Sequence, residues 1–136
     1  MKTTKIYLSV LMFLAALSLV SCTKDKLVGD WEKMVWKADS PVQITNGIYN
    51  VSANGATLVF SCSNYSSPWF ADAIENGKHI NTEFKNFQGE NFEATIQGNK
   101  LSVTFKANTD TSVRETSISV TAGDIFYTFR FKQFAN

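Results

Sequence analysis

Residues 100–133 read KLSVTFKANTDTSVRETSISVTAGDIFYTFRFKQ, and this stretch decides the fold. Leu101, Val103 and Phe105 alternate with Ser102 and Thr104; Tyr127, Phe129 and Phe131 alternate with Thr128, Arg130 and Lys132. A period of two marks strands with one buried and one solvated face. Ile118 and Val120 supply the inward positions of a strand between them. The runs are separated by Asn108–Ser112 (NTDTS) and by Ala122-Gly123-Asp124, both turn-forming. The expectation is three strands back to back, a meander against which everything upstream packs. Phe126 breaks the alternation, and Phe134, out of phase with Phe129 and Phe131, is expected to lie exposed.

Upstream, the same grammar repeats. Asn46-Gly47, Asn54-Gly55, Asn76-Gly77 and Gly98-Asn99 are turn dipeptides, because Asn and Gly tolerate positive φ. Between them lie short strand-like runs: Ile48–Ser52, Thr57–Cys62, the apolar Trp69–Ile74, and Phe92-Ala94-Ile96. Residues 79–87 carry no clean pattern and predict an irregular strand or a long connection. Short strands every 8–12 residues indicate an all-β sandwich or barrel. Gly29-Asp30-Trp31 near the start admits a small lipocalin-like barrel as an alternative.

The first residues are of another kind. Lys2 and Lys5 precede an apolar run from Ile6 to Val20, which ends in Leu19-Val20-Ser21-Cys22. A basic start, a short apolar core and a small residue before the cut describe a secretory signal. The run is shorter than the ~20 apolar residues a membrane span needs. Leu-Val-Ser-Cys also resembles the bacterial lipobox, which makes Cys22 the expected lipidation site. The division is residues 1–21 as signal peptide, 22–39 as lipidated Cys, tether and N-terminal arm, and 40–136 as one domain. The arm carries Trp31 and Trp36, and at least one indole is expected to fold onto the domain. Cleavage takes the 13 basic residues to 11 against 12 acidic ones, a net charge near −1. That balance gives no electrostatic reason for a nucleic-acid partner. The membrane is reached through the lipid, and the expected address is the outer membrane, on its periplasmic or surface-exposed face.

Arg114, Ile118, Val120, Gly123 and Gln133 carry a further resemblance. With the NTDTS turn before them and Phe131-Lys132-Gln133 at the end, they resemble the closing pattern of the BACON domain. That name covers Bacteroidetes modules often linked to carbohydrate. Val51–Cys62 (VSANGATLVFSC) is similar to the family's opening strands, and Trp69 sits where its members often have a tryptophan. Phe131 departs from the pattern, which has a small β-branched residue there. The resemblance spans about Ile48 to Gln133. It implies an immunoglobulin-like β-sandwich, no catalytic residue set, and binding of glycan or mucin or a spacer role.

Little in the sequence supports catalysis. His79 is the only imidazole, so a nucleophile–His arrangement has to use it. Cys62 falls on the inward face with Leu58 and Phe60, where a buried, inert thiol is expected. One His and one remaining Cys cannot make a zinc site without carboxylates, and Asp110 stands alone in its turn. No catalytic, metal or cofactor residues are assigned. Glycan binding has a physical handle, since sugars lay their C–H faces on exposed aromatic rings. The polar loop Asn64–Phe70 (NYSSPWF) makes Tyr65, Trp69, Phe70 and Asp72 the candidate ligand-binding residues, with Glu75 nearby. Trp69 is either such a platform or a plug for the sandwich. The other function class is protein interaction, with the module serving as an accessory or spacer subunit of an envelope complex.

Overall fold

The first two strands of the quoted stretch part company. In the computed structural model, which describes residues 29–136, Lys100–Phe105 (β9) pairs with Ala56–Cys62 (β4) and Phe92–Gln97 (β8) in one sheet. Arg114–Thr121 (β10) and Phe126–Gln133 (β11) form a hairpin in the other. The expected meander is thus corrected to a crossover plus a hairpin. The crossing loop is fixed by Asn108, which is 1% exposed. Its Nδ2 donates to Ser112 O at 2.8 Å and Phe134 O at 3.0 Å, and its Oδ1 accepts from Asp110 N. In the same loop Arg114 Nη2 donates to the carboxylate of Asp110 at 2.8 Å. A loop whose buried polar groups are satisfied this way costs little to carry across the core edge.

The remaining strands complete two layers. Trp36–Ala38 (β1) and Asn86–Gln88 (β7) are the edges of a five-stranded sheet ordered β1-β4-β9-β8-β7. Ile44–Thr45 (β2), Ile48–Val51 (β3), Trp69–Glu75 (β5) and Lys78–Ile80 (β6) join the hairpin in a six-stranded sheet ordered β2-β3-β11-β10-β5-β6. Every pairing is antiparallel except β3 beside β11. The four edge strands have two or three residues each, which limits the open hydrogen-bonding groups that would invite another chain. Residues 79–87 resolve into the end of β6, a connection and the start of β7.

Aromatic rings fill the space between the sheets. Phe60 of β4 lies 4.8 Å from Phe129 of β11 and 4.9 Å from Tyr49 of β3, centroid to centroid. Phe105 meets Phe131 at 5.1 Å, and Phe70 meets Phe87 edge-on at 4.6 Å. Trp36 closes this core edge-on to Phe129 at 5.1 Å, so one indole of the N-terminal segment does fold onto the domain. Trp31 stays 49% exposed. Trp31–Asn136 is one compact unit that holds the whole core. Residues 1–21 and the lipidation site Cys22 lie outside the described residues. The architecture is an all-β, immunoglobulin-like sandwich with two open sheets, and the barrel alternative falls.

Four residues of the closing stretch have a clear structural use. Ile118, Val120 and Phe131 face the core. Gln133, 2% exposed, donates from Nε2 to Ser52 O and Lys106 O, tying the C-terminus to both sheets' turns. Phe126 sits on the outer face, opposite Thr121 and 61% exposed, which explains its broken alternation. Phe134 is 44% exposed, as its phase predicts.

Tyr49 gives this core a pH dependence. Burial, and then a hydrogen bond with Tyr127, push its phenol from the ordinary 10.0 up to about 12. The folded state therefore holds a proton that the unfolded chain releases first. The associated stability is fully present below pH 10 and is lost as pH rises toward about 12. Each unit of separation corresponds to about 1.4 kcal/mol. Urea unfolding across that window should show Tyr49→Phe losing less stability with pH than the parent; parallel losses would refute the assignment.

Candidate functional site

The outer face of the six-stranded sheet is built from the residues that the core face leaves over. Cross-strand partners point to the same side of a sheet. Trp69, Thr121 and Phe126 are partners across β5, β10 and β11, and form one row at the end of the face. The next row holds Asp72, Ser119 and Thr128, with the Ser119 and Thr128 hydroxyls 2.8 Å apart. A β-bulge between the two rows lets both Trp69 and Asp72 face outward although they are three positions apart, an odd offset that regular alternation would send to opposite faces.

Phe84 extends the aromatic row beyond β5. Past the end of β6, Phe84 O accepts from Phe70 N at 3.1 Å, and the Phe84 ring stacks on Trp69 at 5.3 Å with 19° between planes. Lys85 holds this corner: its Nζ donates to Pro68 O at 2.6 Å and Ser67 Oγ at 3.1 Å, 5.3 Å from the Phe84 centroid. Phe84 is 61% exposed and Trp69 half-buried. Trp69 and Phe126 stand two strands apart, about 10 Å. The result is a strip of rings at one end of an otherwise polar face. Trp69 is not a plug of the core.

Two other candidates do different work. Tyr65 does not join Trp69: its hydroxyl donates to Glu32 O at 2.6 Å and its ring packs on the core. The adjacent Asn64 donates to Lys33 O at 2.8 Å and accepts from Val35 N at 2.9 Å. The start of the polar loop is therefore a clamp for the N-terminal segment, with the Asn64 amide and the Tyr65 hydroxyl already used. Phe70 is corrected outright: it is 4% exposed, against Phe87 in the core, and offers no face to a ligand. Glu75 is buried as well, with its carboxylate turned to backbone amides of the β7–β8 turn. Asp72 is on the outer face, where its Oδ1 is 3.1 Å from His79 Nδ1. His79, read as solvated beside the Asn76-Gly77 turn, is solvated and also faces this carboxylate.

Sequence reasoning missed Phe84 and assigned no role to Phe126, though the latter's broken alternation was itself the signal. Cys62 is 1% exposed on β4, with its thiol 3.5 Å from Asn64 Oδ1, in the opposite sheet from His79. The described residues contain no group of three or more His, Cys, Asp or Glu able to hold a metal ion.

An immunoglobulin-like sandwich with a ring-lined outer face is the class of protein these features define. No protein-family model matches the chain, and no curated protein does. A protein from Bacteroides thetaiotaomicron, solved by NMR, is 32% identical, with 86% of this chain and 96% of that one aligned at a TM-score of 0.71. The chain belongs to the same family as that protein, a kinship consistent with a Bacteroidetes protein. Titin M4 is matched more loosely, at 6% identity over 78% of this chain and 99% of that one, TM-score 0.46. Titin M7 is similar at 12% identity over 74% and 93%, TM-score 0.45.

Proposed function

We propose that this protein is a non-catalytic, BACON-like binding module of the bacterial envelope, lipid-anchored at Cys22, that takes glycan on the outer face of its six-stranded sheet. The carrying observation is the strip formed by Phe84, Trp69 and Phe126. Rings of this size cost free energy to keep in water, and stacking on the C–H face of a sugar relieves that cost. Beside the strip, the carboxylate of Asp72, the imidazole of His79 and the hydroxyls of Ser119 and Thr128 can exchange hydrogen bonds with sugar hydroxyls. The lipobox-like Leu19–Cys22 supports the anchor. The closing pattern from Arg114 to Gln133 supports the BACON-like assignment.

The test uses a chain beginning at Lys24, since Trp31–Asn136 carries the entire core. In affinity gels containing mucin or polysaccharides, the parent should be retarded. Trp69→Ala should weaken retention by about tenfold or more, equivalent to ~1.4 kcal/mol, while melting like the parent. A parent that runs unretarded on every glycan ends the carbohydrate reading and leaves the accessory or spacer role.

A further inference from the structure

A groove of about 300 Å³ lies on this same outer face, at the end away from the rings. Its central row crosses four strands: Ile48 on β3, Arg130 on β11, Ser117 on β10 and Ile74 on β5. Arg130 is exposed and makes no hydrogen bond or ion pair among the described residues. Asp72 faces His79, and Glu115 stands directly opposite Lys132. Arg130 has Ser117 on one side and Ile48 on the other, with no carboxylate in its own row; Glu115 and Lys132 line the groove from a neighbouring row.

A guanidinium in that position is a planar fork with its donors unused. It matches a carboxylate or sulfate bidentately, and it sheds water more readily than an ammonium does. The half-buried Ile48 and Ile74 flank it with apolar surface, which strengthens a charge-assisted bond relative to open solvent. Phe126 and Arg130 are four residues apart on β11 and share its outer face, separated by about 13 Å. A single sugar ring cannot reach both, whereas an oligosaccharide can.

We infer that the groove is the anion subsite for an acidic oligosaccharide, with Arg130 receiving the carboxylate or sulfate of one sugar while neighbouring rings lie on the Trp69–Phe84–Phe126 strip. This rests on the glycan reading above and adds the ligand's charge class to it. Polygalacturonate and its carboxyl-reduced, neutral form make a matched pair of probes; dextran sulfate and dextran make a second.

The expected result is about tenfold tighter binding of at least one anionic polymer than of its neutral counterpart. Arg130→Gln should erase that preference and leave neutral binding and melting unchanged. Lys78→Gln, a change of equal charge on β6, should keep the preference. Selectivity for polygalacturonate would assign a carboxylate, and selectivity for dextran sulfate a sulfate. Equal binding of acidic and neutral polymers, sensitive to Trp69→Ala, overturns the anion subsite and spares the glycan reading. A preference that survives Arg130→Gln overturns the role of Arg130. Binding to no polymer removes both.

Discussion

Phe129→Ala should lower the unfolding free energy by about 3–5 kcal/mol, the range for deleting a fully buried aromatic side chain. Phe129 is 0% exposed and lies in the middle of β11. It touches Trp36, Phe60, Tyr127, Tyr49 and Phe131 at centroid distances from 4.7 to 6.2 Å. Several of these contacts are edge-on or tilted, the arrangements in which ring quadrupoles attract. The cavity left by the ring would lie between two sheets whose strands are held by ladders on both sides, so it cannot collapse fully. Domains of this size are stable by ~5–15 kcal/mol, so the loss is a large share of the whole. Phe126→Ala is the matched control, since it removes the same ring from the same strand at an exposed position and should fall within about 0.5 kcal/mol of the parent. Urea midpoints for the three proteins decide the matter. Similar losses for both variants would mean that alternation along β11 does not report burial.

That alternation was the most legible feature of the chain. The inward set of β11, the inward positions of β8 and β9, and the burial of Cys62 follow from period two and need no knowledge of partners. A period of two assigns a side chain to a face, but it does not say which sheet the strand joins. β9 and β10 therefore looked adjacent in sequence, whereas Asn108 and its four hydrogen bonds steer the chain across the core between them. The choice of partner is a long-range matter. β9 pairs with a strand some forty residues earlier, Leu58 facing Val103.

The candidate site was half legible for the same reason. Trp69 and Asp72 are outward-facing, as a platform requires, yet their neighbours come from elsewhere in the chain. Phe126 enters through the β10–β11 register and Phe84 through a segment without any pattern. In the loop that looked most like a sugar platform, Asn64–Phe70, the Asn64 amide and the Tyr65 phenol are satisfied by backbone about thirty residues upstream. A polar, aromatic loop signals that hydrogen bonds will be made, and composition alone does not say whether to ligand or to self.

Glu75 carries that lesson to its energetic limit. It occupies the last position of β5, where Phe70, Ala73 and Glu75 all turn inward, and it is 5% exposed. Its Oε2 accepts from Glu90 N at 2.8 Å and its Oε1 from Asn91 N at 2.9 Å. Among the described residues no cation pairs with it, so these two amides carry the compensation for a buried charge. Hydrogen bonds to a charged group contribute roughly 1.5–3 kcal/mol each, and a buried donor left unpaired costs the desolvation it cannot recover. Gly89 is the reason the carboxylate fits: a Cβ there would stand 2.7 Å from Glu75 Oε2 and run into the Phe92 ring. Glu75→Ala should therefore cost about 3–5 kcal/mol, and Glu75→Gln about 2 kcal/mol or more, because its NH₂ would face an amide donor. Hydrogen exchange separates this from general destabilisation. In Glu75→Gln the amides of Glu90 and Asn91 should lose protection well before those of β9, since the turn they belong to joins β7 to β8 and is tied to the opposite sheet through this carboxylate. Unchanged protection at both amides would show that the hairpin holds its shape without Glu75, and the two-bond clamp would then have no energetic role.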